Sequence, residues 1–313
     1  MKKTLLSTLL LLFAITTTLG HGVTNYMHSD FLEGMQEGDK AAILMIHFGT
    51  THHDTREVTI EALNNRVKQE FPDLEFREAY TSRIVIKRLA DNEGIRKNNP
   101  LEALKQLHAD GYTHVLIQSS TIIDGVEMES ICKNVEEVQS LFKDIRIGNP
   151  LLYTPQDYED VIEVLTPGYD NDTAYIWVGH GTYDVTTAQY AMIDYMLKAK
   201  GHTNCFVGTI EGYPEYEDML SQLKSSGLKK VVLMPFMFVA GDHAKNDIAE
   251  DWKERLEKEG YHVEVSLQGL GENPNIQNIY ISHLKFITGH RKIGIMEKKS
   301  VYEKTGEKIK GNH

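Results

Sequence analysis

The chain has 313 residues, with 41% apolar and 25% charged residues and a formal net charge of -12. That is enough chain for one large domain or two modest ones with a sizeable core, in the ordinary range for a soluble globular protein. So much negative charge argues against nucleic acid as a partner, and an anionic ligand would need a local basic pocket.

Met1–Gly20 reads as an export signal and not as fold. Lys2 and Lys3 make its positive start, Leu5 to Ile15 its short apolar run, and Thr16 to Gly20 the small residues before a cleavage point. The apolar run is shorter than the roughly 20 residues of a membrane span, so no stable span is expected after cleavage. Export is the expected localisation, to the periplasm in a Gram-negative source. Cys132 and Cys205 are too few for a disulfide framework and lack zinc or redox spacing. They could pair in an oxidising compartment, but both read as buried apolar residues.

Residues 21–39 are polar and read as a mobile N-terminal arm. An N-terminal α/β domain follows over 40–165. Ala41–Phe48 is a continuous apolar strand ending at Gly49-Thr50-Thr51, and Asp54–Phe71 is helical with Val58, Ala62, Leu63 and Val67 on one face. Glu75–Tyr80 is a short strand, and a helix from Ile84 carries Lys87 and Arg88, with Arg83 just ahead of it. Pro100–Asp110 is a helix stopped by Gly111, His114–Ser119 a strand, and Glu127–Phe142 a helix.

The pattern repeats over 166–290, the expected C-terminal α/β domain. Strands Ala174–Val178, Cys205–Ile210 and Val231–Val239 alternate with helices Ala188–Lys200 and Pro214–Ser226. A helix over Glu250–Gly260, a strand over His262–Leu267 and a closing helix over Asn275–Thr288 complete it. Gly49-Thr50 overlays Gly181-Thr182, and Asp110–Gly125 overlays Ser226–Gly241. The fold class predicted is α/β: two similar Rossmann-like or flavodoxin-like domains with parallel sheets and right-handed crossovers, and a ligand cleft between them. Residues 291–313 are Lys-rich, lack an apolar stripe, and are expected to be disordered.

Three polar residues of the second half each lie just past a strand: His180, Glu211 and His243. In the overlay their first-half counterparts are roughly Phe48, Thr81 and Glu127. Carboxyl ends of parallel strands are where ligands bind in open α/β sheets. Each residue has an ordinary alternative. His180 sits between glycines and could serve a turn or cap a helix. Glu211 could cap the Pro214 helix, and His243 could pair with Asp242 or Asp247. Two imidazoles and one carboxylate would suit a divalent first-row metal, and three protein ligands leave positions open for exchange.

The runs HFGTTHHDT (His47–Thr55), AYTSRIVIKRL (Ala79–Leu89), VGHGTYD (Val178–Asp184), EGYPEYEDML (Glu211–Leu220) and MPFMFVAGDHAKNDIAEDW (Met234–Trp252), with GLGENP (Gly269–Pro274), resemble the anaerobic sirohydrochlorin cobaltochelatases, class II tetrapyrrole chelatases of cobalamin biosynthesis. The resemblance spans about Ala41 to His290. It implies two domains related by a pseudo-twofold and a tetrapyrrole in the cleft. It also implies His180, Glu211 and His243 as metal-binding residues, with His180 as the catalytic base. Co²⁺ is the substrate metal implied, with Ni²⁺ or Fe²⁺ as alternatives, and no organic cofactor. Arg83 and Arg88 are candidates to pair with the macrocycle's carboxylates. His47 stands where the resembled proteins commonly have serine, and Thr121 where they often have histidine. Export also departs from a cytoplasmic pathway. It keeps open an exported metal or haem carrier, or an enzyme acting on iron in haem-type tetrapyrroles. A homo-oligomer is compatible with the exposed helices.

Overall fold

The computed structural model describes residues 25–241 and 244–306, without the side chains of 244 and 245. The expected export signal, His243 and residues 307–313 lie outside the described residues. The described residues fall into two compact units: 28–292, and a small one of 25–27 with 293–306.

The strands are β1 (Tyr26–His28), β2 (Ala41–His47), β3 (Glu75–Tyr80), β4 (His114–Ser119), β5 (Asp144–Ile147), β6 (Thr173–Gly181), β7 (Cys205–Glu211), β8 (Lys230–Phe236), β9 (His262–Val265) and β10 (His290–Lys292). Within 28–292 they build two four-stranded sheets of the same order, β3-β2-β4-β5 and β7-β6-β8-β9. Every neighbouring pair in both is parallel. The central strands are buried on both faces, which is why β2 and β6 read as unbroken apolar runs. Ala41 stands opposite His114 in one sheet and Thr173 opposite Lys230 in the other. That register makes Phe48 the counterpart of His180, as expected. Pairing of His47 with Tyr80 and Gly179 with Thr209 makes Ser82 the counterpart of Glu211, one residue beyond the expected Thr81.

Several elements differ from the sequence reading. Strand β5, DIRI, and the helix Pro155–Leu165 were not anticipated. The first has two charged residues in four. The second is nucleated by a Thr154/Asp157 capping box with Pro155 at its first turn. Helix Ala244–Trp252 starts earlier than Glu250 and has wide, π-type turns before continuing as Lys253–Lys258. The closing helix, Pro274–Gly289, follows the second sheet in sequence but docks on the first. Its Tyr280 hydroxyl donates to the carbonyls of Ser120 and Thr121, both at 3.1 Å. Its His283 meets Asn149 O at 3.2 Å and Asp157 at 3.0 Å. Burial alone would raise the Asp157 carboxyl, but hydrogen bonds from His283 and Thr154 hold it below its ordinary value. A division of the chain at residue 165 therefore places in the second domain a helix that is built onto the first sheet.

The polar arm is anchored from residue 29 onward. Phe31 is buried, and Arg146 N–H groups donate to Ser29 O at 2.7 Å and Ile287 O at 2.9 Å while also pairing with Asp144. In the small unit, the Lys-rich stretch expected to lack structure forms a helix, Ile295–Thr305, with no buried residue. Ile293 N–H donates to Asn25 O at 2.8 Å. No helix among the described residues is long and apolar enough to cross a membrane.

Arg146 is 4% exposed and joins the arm, β5 and the closing helix. Arg146→Ala leaves the buried Ile287 carbonyl, the part-buried Ser29 carbonyl and Asp144 without this donor, and is expected to lower stability by about 3 kcal/mol in urea titration.

Candidate functional site

A cavity of about 440 Å³ opens at the carboxyl ends of β2, β4, β6, β7 and β8, within the larger unit. Both sheets therefore face their ligand-binding ends toward one space. Its wall is largely apolar, with Phe48, Ile84, Ile123, Tyr183, Phe236 and Phe238 contributing. Phe48, Ile84 and Tyr183 are 49%, 65% and 85% exposed, a rim of large apolar groups left uncovered. Such a rim suits a broad apolar ligand.

His180 and Glu211, the last polar residues of adjacent strands, both line this cavity. Their strand ends are held together by missing side chains. Gly181 has φ +84, and a Cβ there would lie 1.6 Å from the Glu211 carbonyl oxygen. Gly179 lets the Tyr190 ring lie where its own Cβ would be, 2.3 Å from the ring edge. The loops beyond are tied by Thr187: its hydroxyl donates to Tyr213 O and accepts from Tyr213 N–H, both at 2.8 Å. His180 Nδ1 lies 3.2 Å from Gly181 O. A carbonyl only accepts, so Nδ1 is the donor in this contact.

The other predicted residues divide. Arg88 lines the cavity; Arg83, on the same helix Arg83–Glu93, does not. The two lie five residues apart, about 140° around a helix, so one cavity does not take both. Lys87 pairs with Asp91 at the surface. Because His243 lies outside the described residues, the three-ligand set is not assembled here. Among the described residues no three His, Cys, Asp or Glu side chains are grouped closely enough to hold a metal.

His47 borders the cavity but is already engaged. Asn64 donates to Glu78 at 2.7 Å, which turns the Asn64 carbonyl oxygen toward His47 Nε2 at 2.9 Å. Nε2 is therefore the donor, and Nδ1 accepts from the Ser120 hydroxyl at 2.8 Å. Lys97 closes the chain on Glu78 at 2.6 Å. His47 is 1% exposed, and burial pulls its pKa below 6.5. Both of its ring nitrogens are taken by hydrogen bonds within the protein. The sequence reading passed over Tyr190, whose phenol burial pushes up to about 12, and over the rim residues Ile84 and Tyr183. Their helical and loop contexts carry no chemical signal.

A family model described as cobalt chelatase (CbiK) matches residues 41–288. The chain belongs to the cobalt chelatase (CbiK) family. It is 38% identical over 252 residues to a sirohydrochlorin cobaltochelatase of Salmonella typhimurium, covering 78% of this chain and 95% of that protein. It is 31% identical over 255 residues to the sirohydrochlorin cobaltochelatase CbiKC of Nitratidesulfovibrio vulgaris, covering 78% and 89%. In structure it is similar to SirB from Bacillus subtilis with Fe³⁺, at TM-score 0.57 and 14% identity, covering 80% of this chain and 96% of that one. A sirohydrochlorin chelatase SirB from Bacillus subtilis subspecies spizizenii in complex with cobalt gives TM-score 0.55 at 13% identity, covering 80% and 95%. At these identities the structural likeness is one of fold. It agrees with the predicted α/β chelatase architecture.

Two outcomes follow for this chelatase-family site. Gly181→Ala collides with backbone and is expected to cost about 3 kcal/mol in thermal or urea unfolding. The His47 pKa is lowered in the folded state, so its contribution is full above 6.5 and is lost as pH falls through the unfolded value toward the folded one. His47→Gln should flatten the wild-type loss of stability below pH 6.5, measured by urea midpoints across pH.

Proposed function

We propose that the chain inserts a divalent metal, Co²⁺ first among candidates, into sirohydrochlorin in tetrapyrrole biosynthesis leading toward cobalamin. The observation that carries this reading is His180 beside Glu211 on the wall of an apolar-rimmed cavity. The names of its relatives support the substrate pair.

Insertion replaces two protons on the macrocycle's inner nitrogens with M²⁺. His180 lines the cavity, where its imidazole could ligate the metal or take a proton from the macrocycle. The Glu211 carboxylate offsets the metal's charge, and His243 is proposed as the third ligand. A partial set holds the ion without caging it, so the ring nitrogens can take it over. Phe48, Ile84 and Tyr183 would cover the face of the macrocycle, and Arg88 would meet a peripheral carboxylate. Ni²⁺ or Fe²⁺ are alternative substrates for the same donor set. The signal-like Met1–Gly20 supports action outside the inner membrane.

Sirohydrochlorin mixed with Co²⁺ and the mature protein should change its visible spectrum catalytically. His180→Ala should lower that rate by about 100-fold or more. A variant rate equal to wild type removes His180 from the chemistry, and stoichiometric binding without turnover favours the carrier alternative. Sequencing the N-terminus of the exported protein should give His21 as first residue.

A further inference from the structure

Gly269–Pro274, the GLGENP run, stands outside the lining of the main cavity but directly against one of its walls. It forms a single tight turn, Leu270–Glu272, with Gly269 N–H donating to the Glu272 carboxylate at 2.8 Å. Pairing of β8 with β6 stops at Phe236, and the chain runs on as residues 237–241. Met237, Phe238, Val239 and Gly241 of that stretch line the cavity. Past the strand end, the turn supplies backbone donors to this stretch. Leu270 N–H donates to Met237 O at 2.8 Å, and Gly271 N–H to Phe238 O at 2.9 Å.

Both buried glycines are needed for so close an approach. A Cβ on Gly269 would lie 2.6 Å from Phe238 O and 2.9 Å from Ala240 N. One on Gly271 would lie 2.8 Å from the tip of the Phe238 ring. That ring in turn stacks on His47, centroids 6.0 Å apart, and meets Tyr280 edge-on at 5.5 Å.

The other side of the turn is tied to the first half of the chain. Gln277 is 3% exposed, and its amide nitrogen donates to Gly271 O at 2.7 Å. Its amide oxygen accepts from Arg66 at 3.0 Å. A guanidinium only donates, so Arg66 fixes which way the Gln277 amide points. Arg66 belongs to helix Ala62–Glu70 and also donates to Pro274 O at 2.6 Å. A continuous path thus runs from that helix through Arg66, Gln277 and the turn to the backbone of the cavity wall.

We propose that Gln277 is a positioning residue for the tetrapyrrole cavity. Through the GLGENP turn it sets the wall formed by residues 237–241, and with it the fit of the macrocycle against Phe238. The identity of the ligand rests on the chelatase reading; the dependence of the wall on Gln277 does not.

The test is Gln277→Glu in the full chain. Ionised beside Arg66, the new carboxylate keeps the acceptor but has no N–H for Gly271 O. Amide hydrogen exchange at residues 237–241 should quicken. Affinity for metal-free sirohydrochlorin, followed by visible absorbance, should fall about fivefold or more. At saturation the visible circular dichroism of the bound tetrapyrrole should change, because the wall beside it has moved. Gly271→Ala should act in the same direction by pushing on Phe238. Arg66→Met, at a half-buried position that does not threaten folding, frees the Gln277 amide to turn and should give a smaller change of the same kind. Leu107→Ala, a core deletion in helix Pro100–Ala109, costs stability but should leave all three readings at wild type. Folded Gln277→Glu and Arg66→Met proteins with wild-type exchange, affinity and dichroism overturn the proposal. A wild type that neither binds nor metallates sirohydrochlorin overturns the chelatase reading instead, and exchange at 237–241 then decides the positioning role by itself.

Discussion

The site depends on the close approach of two backbone segments, at Gly181 and Glu211. Strands β6 and β7 run parallel to their last residues, and only a glycine with positive φ lets the β6 end meet the Glu211 carbonyl. That contact brings a histidine and a carboxylate, about thirty positions apart in sequence, onto one wall. Gly179 does the same for the Tyr190 ring. The glycines on either side of His180 are thus packing requirements as much as turn residues.

The rest of the larger unit holds this approach in place. Two sheets of identical order face their carboxyl ends toward the cavity. The first sheet contributes mostly shape: Phe48, Ile84, Ile123 and a sealed polar chain from Lys97 through Glu78, Asn64 and His47 to Ser120. The second contributes the groups with chemistry. The closing helix, through Tyr280 and His283, fastens the second half of the chain onto the first sheet. The two sheets of identical order thus differ at the cavity, with Phe48, Ile84 and Ile123 from the first half and His180 and Glu211 from the second.

Much of this is legible in the sequence because buried parallel strands leave a plain signature. Ala41–His47 and Val231–Phe236 are continuous apolar runs, and glycines mark where they stop. His180 and Glu211 follow from the rule that ligands gather at such ends. Other features are not written in local pattern. Strand β5 is too short and too charged, and the docking of Pro274–Gly289 on the opposite sheet is decided by tertiary contacts. The exclusion of Arg83 follows from helix phase. His47 stands in sequence where the resembled proteins commonly have serine, and only its partners, Asn64 and Ser120, show that both ring nitrogens are taken.

The central claim is that a divalent ion is held at the ends of β6 and β7 by the two side chains that Gly181 brings together. Crystals soaked in Co²⁺ and measured at the cobalt absorption edge test it most directly. The account predicts an anomalous peak within about 2.0–2.2 Å of His180 Nε2 and a Glu211 carboxylate oxygen. A cobalt peak elsewhere, with His180 and Glu211 left unligated, would contradict it.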